Sequence, residues 1–356
     1  MKYIFFISII VSISSLFCQE TVQYRLINAD QLQHFKFFND NVINLEGNVH
    51  FFYNEIEFKS HRAEIYEQQE YVTLKGNVVI IQDTLSITCD TAHYYKQSEY
   101  LRAEGNVVMT ETHAVEITRK ATSNQAQHYR EKGEFILQGN VYAVDFTDSL
   151  YARAGFATYN QQTGYGYLIQ RPVVWRAGED SLALYAEKIE YYSDNKKMVA
   201  SFNVITQNDV IKATSDFLIF YTEEEKMIYL GDPKFYSDDG DGNADLITVF
   251  LEDKNIKEIL LEGNCFIEFN GEDSTAKDNW VSSEFMTLYY LDKKPSEFFA
   301  RDTVKSFFLQ DQTEKKAKMN NNVTGDLLTL YFNEESKIES LNIYENIKGT
   351  YRFEKK

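Results

Sequence analysis

One short phrase returns along the chain and limits what it can fold into more than any other feature. It reads LEGNVHFFY around Gly47, LKGNVVII around Gly76, AEGNVVMT around Gly105, LQGNVYAV around Gly139 and LEGNCFIEF around Gly263. Weaker echoes are RPVVW at Arg171, ASFNVIT at Asn203, YLGDPKFY at Gly231, ARDTVKSFF at Thr303 and YENIKGTY at Asn346. With the Asn position as a marker, the series runs 48, 77, 106, 140, 172, 203, 232, 264, 303, 346, in steps of 29 to 43 residues. A unit of that length cannot bury its apolar face alone, so it must stack on its neighbours. The 356 residues are therefore expected to grow by repetition.

Within each unit the period is two. Leu85, Ile87 and Cys89 alternate with Ser86, Thr88 and Asp90; Ala92, Tyr94 and Tyr95 follow, then a polar KQSE turn and the run from Leu101 to Met109. Such alternation marks strands with one dry and one wet face. The layout recurs over 181–206 and 210–236, and the stretch YAEKIEYYSDNKKM reads as strand and turn because every aligned copy is polar there. Turn clusters punctuate the units at Gln82-Asp83-Thr84, Thr147-Asp148-Ser149, Gly178-Glu179-Asp180-Ser181 and Gly271-Glu272-Asp273-Ser274. The 25 Tyr and 26 Phe against 3 Pro also favour strands. The expectation is an all-β, elongated antiparallel solenoid of two-strand repeats about 30 residues long.

The alternation also names a face. After the GNV phrases it collects Val49, Phe51, Val78, Ile80, Val107, Met109, Val141, Val204, Phe235, Ile267 and Phe269; in the preceding strands it collects Leu85, Ile87, Leu150, Leu184, Ile211 and Leu288. Stacked, these form one apolar trough, either filled by its own side chains or open to a long apolar ligand. The recurrent Asn is expected to stack as an amide ladder, and the Gly to allow a bulge or a close backbone approach.

Net charge is −18, which disfavours nucleic acid and docking on anionic lipid heads. Residues 1–18 read as a secretory signal, with Lys2, an apolar run from Ile4 to Val11 and a cut near Cys18-Gln19; acylation of Cys18 is the alternative. The remainder, 19–356, reads as a single repeat domain. Cys89 and Cys265 read as small apolar fillers, and His34, His50, His61, His93, His113 and His128 as solvated strand residues. The acidic stretch Asp238 to Asp245 reads as an elongated hairpin turn in preference to a calcium loop. No nucleophile elbow, phosphate loop or metal-ligand spacing is present, so no enzyme, metal or cofactor is expected.

The two-strand unit ending in LEGNVHF, LKGNVVI, AEGNVVM, LQGNVYA or LEGNCFI, with strands such as LSITCDTAHYY before it, resembles the organic-solvent-tolerance (OstA-like) family, the LptA-type periplasmic proteins of lipopolysaccharide transport. The resemblance runs from about residue 42 to the end. It implies a β-jellyroll (a β-taco) of two splayed sheets, with lipid A acyl chains between them, each buried methylene contributing about 0.8 kcal/mol. It also implies a periplasmic location with outer-membrane association left open, and edge-strand pairing with other transport proteins or with further copies of the chain. The expected function is thus a lipopolysaccharide carrier or bridge whose acyl-lining residues are the eleven named after the GNV phrases. The alternative is a structural or adhesive β-solenoid with a filled core; a β-helix enzyme acting on polysaccharide lacks the cluster of acids and aromatics it would need.

Overall fold

The computed structural model describes residues 24–176, 178, 182–208, 211–269, 279–312 and 317–354. The signal-like segment 1–18 and the turn at 271–274 lie outside them, as does most of the turn at 178–181. The described residues form 26 β-strands, all antiparallel neighbours in one hydrogen-bonded sheet, and a single 3-10 turn at Arg130–Lys132. Two short strands, Tyr24–Asn28 and Gln31–Phe37, come first, and both pair with Asp40–Tyr53. Uninterrupted strands pair with those before and after them, as in Ile56–Tyr66, Tyr71–Gln82, Leu85–Tyr95 and Tyr100–His113; where a strand is broken at its corner, each half pairs separately, as Tyr165–Ile169 does with Lys188–Tyr192.

The long strands turn a corner at the repeated phrase. Gly47 and Asn48 both have positive φ (74° and 48°), and so do the pairs at 76–77, 105–106, 139–140, 170–171, 202–203, 231–232, 263–264, 302–303 and 345–346. At each uninterrupted corner two residues oppose one. Glu46 pairs with Arg62 and Val49 with Ser60, leaving Gly47 and Asn48 opposite His61. Two consecutive left-handed residues suit Gly, with Asn the best substitute, which accounts for the dipeptide. The marker at 172 is one residue late: the positive angles fall at Gln170 and Arg171, because the ring of Pro172 fixes its φ near −65°.

The corner splits every strand into two arms. On the first arm, directly paired inner residues run Leu45, Ala63, Leu74, Ala92, Ala103, Ala126 and Leu137. On the second lie Val49, Phe51 and Phe58. The arms face each other across an apolar interior. Phe58 meets Tyr94 at 5.5 Å between ring centroids, Phe269 meets Phe298 at 5.6 Å, and Thr206 Oγ1 lies 2.7 Å from Tyr229 Oη. The structure is the all-β, elongated, jellyroll-like arrangement expected. Its buried side chains fall into two clusters, one from Leu45 to Ala157 and one from Val174 to Leu330, with Leu168 packed against both.

The acidic stretch is a hairpin, as expected: Lys234–Ser237 pairs with Gly240–Asn243 around Asp238 and Asp239. The helix-like stretch at 186–198 is also strand and turn.

Candidate functional site

The corner has a second half that was not read from the sequence. Opposite each Gly-Asn pair the returning strand carries a small residue and then, in most units, a polar one. The series is Ala29-Asp30, Ser60-His61, Cys89-Asp90, Ser123-Asn124, Ala154-Gly155, Ala186-Glu187, Ser215-Asp216, Ala244-Asp245, Ser283-Glu284 and Gly325-Asp326. The Asn side chains do not stack on one another as an amide ladder. They donate to this polar residue instead: Asn48 to Asp30 (3.0 Å), Asn106 to Asp90 (2.9 Å), Asn203 to Glu187 (2.6 Å), Asn264 to Asp245 (2.9 Å) and Asn346 to Asp326. The expected close approach of Gly is real, since a Cβ on Gly105 would stand 2.3 Å from an Asp90 carboxylate oxygen.

The small residue has its own task. The hydroxyls of Ser60, Ser123, Ser215 and Ser283 each donate to the carbonyl two residues on, at 2.8–3.0 Å, and Cys89 Sγ makes the same contact to Thr91 at 3.2 Å. Cys89 is thus a serine substitute at the corner rather than a mere filler. Burial pushes its thiol up to about 11 and that of Cys265 up to about 12, so neither is a ready nucleophile.

All eleven residues expected to line the trough are buried on the second arm, from Val78 at 0% exposure to Met109 at 7%. They do not border the same kind of space. Around the first units the interior is filled: Phe51 stacks on Phe58 at 5.1 Å, and the space beside Ile80, Leu85, Ile87, Tyr94 and Leu101 is only about 10 Å³. The rims are also strapped together there. Lys96, on a turn of the first arm, reaches over the Tyr24 ring at 4.4 Å, and burial lowers its ammonium to about 8. The Gln82 carboxamide, with its oxygen turned to the guanidinium, accepts from Arg130 at 3.2 Å, and Arg130 also donates to Glu99 at 3.1 Å.

His128 corrects the expectation of solvated histidines. It is buried on the inner face, stacked on Phe135 at 4.1 Å. Burial foremost, and the Arg130 guanidinium next, hold its imidazole down at about 4.

Beyond residue 148 the arms part around a cavity of about 380 Å³, within the size range of ligand sites, about 300–1,000 Å³. Its apolar wall includes Leu184, Met198, Leu218, Met227, Phe235 and Val249. Of the eleven expected lining residues only Phe235 borders it, whereas Leu150, Leu184 and Ile211 of the preceding-strand set all do. Gly242 leaves room for the Phe235 ring, 2.5 Å from where a Cβ would stand. First-arm residues such as Leu218 and Ile247 were missed. The available signal was the apolar residue two places before each corner Gly, as in Leu45, Leu74 and Leu261, whose cross-strand partners continue that inner row. Among the described residues no group of three metal-ligating side chains comes together, and no helix is long and apolar enough to cross a membrane.

A family model described as "LptA/(LptD N-terminal domain) LPS transport protein" matches residues 57–165. One solved structure that matches part of the chain is LptH, titled the LptA homologous periplasmic component of the conserved lipopolysaccharide transport device from Pseudomonas aeruginosa. It is 17% identical, the match covers 32% of this chain and 82% of that one, and the TM-score is 0.29. No curated protein matches the chain. Over residues 57–165, where the corner motif is most regular, the chain is similar to the LptA/LptD N-terminal family, in line with the OstA-like, LptA-type resemblance of its repeated phrases.

Proposed function

We propose that this protein is a non-enzymatic envelope lipid carrier or bridge that shelters acyl chains, such as those of lipopolysaccharide, between its two arms on the way to the outer membrane. The observation that carries this reading is the cavity of about 380 Å³ between the arms, apolar in its depth and bordered by polar residues at its mouth. That arrangement suits a ligand with an oily part and a wet part. An interior meant only as a core would close to native packing density, as it does around Phe51 and Phe58. Of the eleven second-arm residues Phe235 would touch the chains directly, alongside Leu150, Leu184 and Ile211 on the same arm. The chain would be exported by the segment 1–18 and work in the periplasm as one repeat domain over 19–356.

Docking to other transport proteins, or to further copies, would use the sheet edges. Among the described residues Gln31–Phe37 pairs on one side only, and Leu32, Phe35 and Phe37 on it are exposed; such an edge is a template for strand addition.

The test is native mass spectrometry on protein purified from an envelope fraction. Acylated lipid should co-purify with the wild type and be lost from Ala213→Phe, which fills the cavity without a buried charge. Ala213 lines the cavity and is 8% exposed. Wild-type protein that is free of lipid and takes up none on addition would make the interior a core and the solenoid structural.

A further inference from the structure

A row of tyrosines runs along the outer face of the first arm, just inside the rim turns. Tyr66, Tyr71, Tyr95, Tyr100 and Tyr129 stand at one level in successive strands, each directly paired with the next. Their ring centroids are 5.5, 4.9, 5.4 and 4.6 Å apart, and every ring is at least partly exposed. The next outward level toward the corner carries Glu64, His93, Arg102 and Gln127. Tyr71 shares a hydrogen bond with His93 (2.6 Å), and Tyr129 donates to Gln127 (3.2 Å). The tyrosine level continues through Glu134, Asn160, Tyr165 and Tyr192 to Lys197, next to Lys196 at the mouth of the cavity. With strands about 4.8 Å apart, the way from Tyr129 to Lys197 is about 24 Å. Beyond the mouth no two rings of this level are directly paired: Lys226, Glu258 and Glu297 stand between Tyr221, Phe250, Tyr289 and Tyr331.

Cross-strand ring pairs steady a sheet by about 0.2–1 kcal/mol each, but packing alone gives no reason for paired rings on one side of the mouth only. The interior beneath the five rings is filled, so what this stretch offers a ligand lies on its outside. The electron-rich face of an aromatic ring attracts the C–H face of a sugar ring, and the hydroxyls at the sugar's edge reach the planar polar groups alongside. Unpaired bases also stack on such rows, but they bring a phosphate at every step to a chain of net charge −18. We infer that the row is a track for a sugar chain, the one attached to the lipid whose acyl chains occupy the cavity. The continuity of the row with the mouth carries the attachment. This rests on the carrier reading above and makes its cargo a glycolipid held at both its oily and its sugar part.

The test compares intact lipopolysaccharide with the two parts that mild acid releases from it, lipid A and free polysaccharide. Titrations of the lipid-stripped full chain are followed by tryptophan fluorescence, to which Trp175 in the cavity wall contributes. Polysaccharide binding is followed by magnetisation transfer from the aromatic protons. Intact lipopolysaccharide should bind about tenfold more tightly than lipid A, and at least about a hundredfold more tightly than free polysaccharide, because attachment raises the effective concentration of the sugar chain. Tyr95→Thr combined with Tyr100→Thr removes two rings but keeps strand-forming residues on a wet face. It should bring lipopolysaccharide down to the affinity of lipid A, and unchanged lipid A binding shows the variant folded. Equal affinity for lipopolysaccharide and lipid A in the wild type, or a preference that survives loss of the rings, would overturn the track while leaving the carrier intact. Free polysaccharide that binds as tightly as the intact molecule would overturn the attachment and make the occupant a separate glycan. A sedimentation coefficient that falls when the rings are removed would overturn the sugar reading in favour of a second copy of the chain. Binding of none of the three probes would overturn the carrier and the track together.

Discussion

At the scale of single residues, the corner is where the chain is least forgiving. Gly105 combines a φ of 77° with an Asp90 carboxylate in the place of a side chain. Gly105→Ala should therefore cost about 1–3 kcal/mol, read as loss of amide-exchange protection in the strands on either side. Adding Asp90→Ala should recover part of that loss; no recovery would mean the cost is backbone strain alone. His128 gives a pH signature. An unfolded chain titrates it near 6.5 and the folded chain near 4, so the unfolded state binds the extra proton between those values. Stability is complete above the upper value and falls as pH drops through the window, by about 2–4 kcal/mol in all. His128→Phe should flatten that part of a stability–pH curve, and an unchanged slope would show that other groups set it. The Gly-Asn pairs were legible because few residue types tolerate two positive φ angles in succession. Their counterparts, the Ser-Asp class of pairs, were not, because a small residue followed by a polar one is unremarkable until the strand pairing sets it opposite a Gly.

At the scale of strands, the two arms are tied by few polar contacts, which makes each one consequential. Thr206 and Tyr229 share a buried hydrogen bond of 2.7 Å between opposite arms, and burial pushes the Tyr229 hydroxyl up to about 12. Tyr229→Phe should leave the Thr206 hydroxyl without that partner, at a cost of about 1–3 kcal/mol, while the pair Tyr229→Phe with Thr206→Val should be nearly neutral. Additive losses in a double-mutant cycle would mean the two hydroxyls do not act together. Strand alternation predicted which faces are dry: the eleven residues chosen after the GNV phrases are buried, and Leu85, Leu150 and Ile211 of the preceding strands are half-buried. It did not say where the arms part, because a residue lining a cavity and a residue packed against its opposite number have the same period of two. Phe51 and Phe235 are indistinguishable by pattern; what separates them is the bulk standing across from each.

At the scale of the molecule, among the described residues Leu168 alone packs against both buried clusters. Repeat proteins are stabilised by neighbour contacts, so a thin junction should divide cooperativity. Hydrogen exchange under mild denaturant should release residues 45–157 and 174–330 as separate blocks, with the cavity-bearing block the one that lipid protects. Release of the whole chain in a single step would count against that division.

The corners serve as graduation marks on a ruler. Their spacing varies from 29 to 43 residues, yet each keeps its pair of left-handed residues, so every difference in length is taken up at the rims. The floor of the trough and the height of its walls can therefore change independently. Two residues added to the rim turn 222–225 should raise one wall locally and leave neighbouring units in step. One residue added between Asn106 and Val107 should turn the following arm inside out, since a slip of one exchanges its dry and wet faces. Length is open to change at the lip and closed to it at the spine.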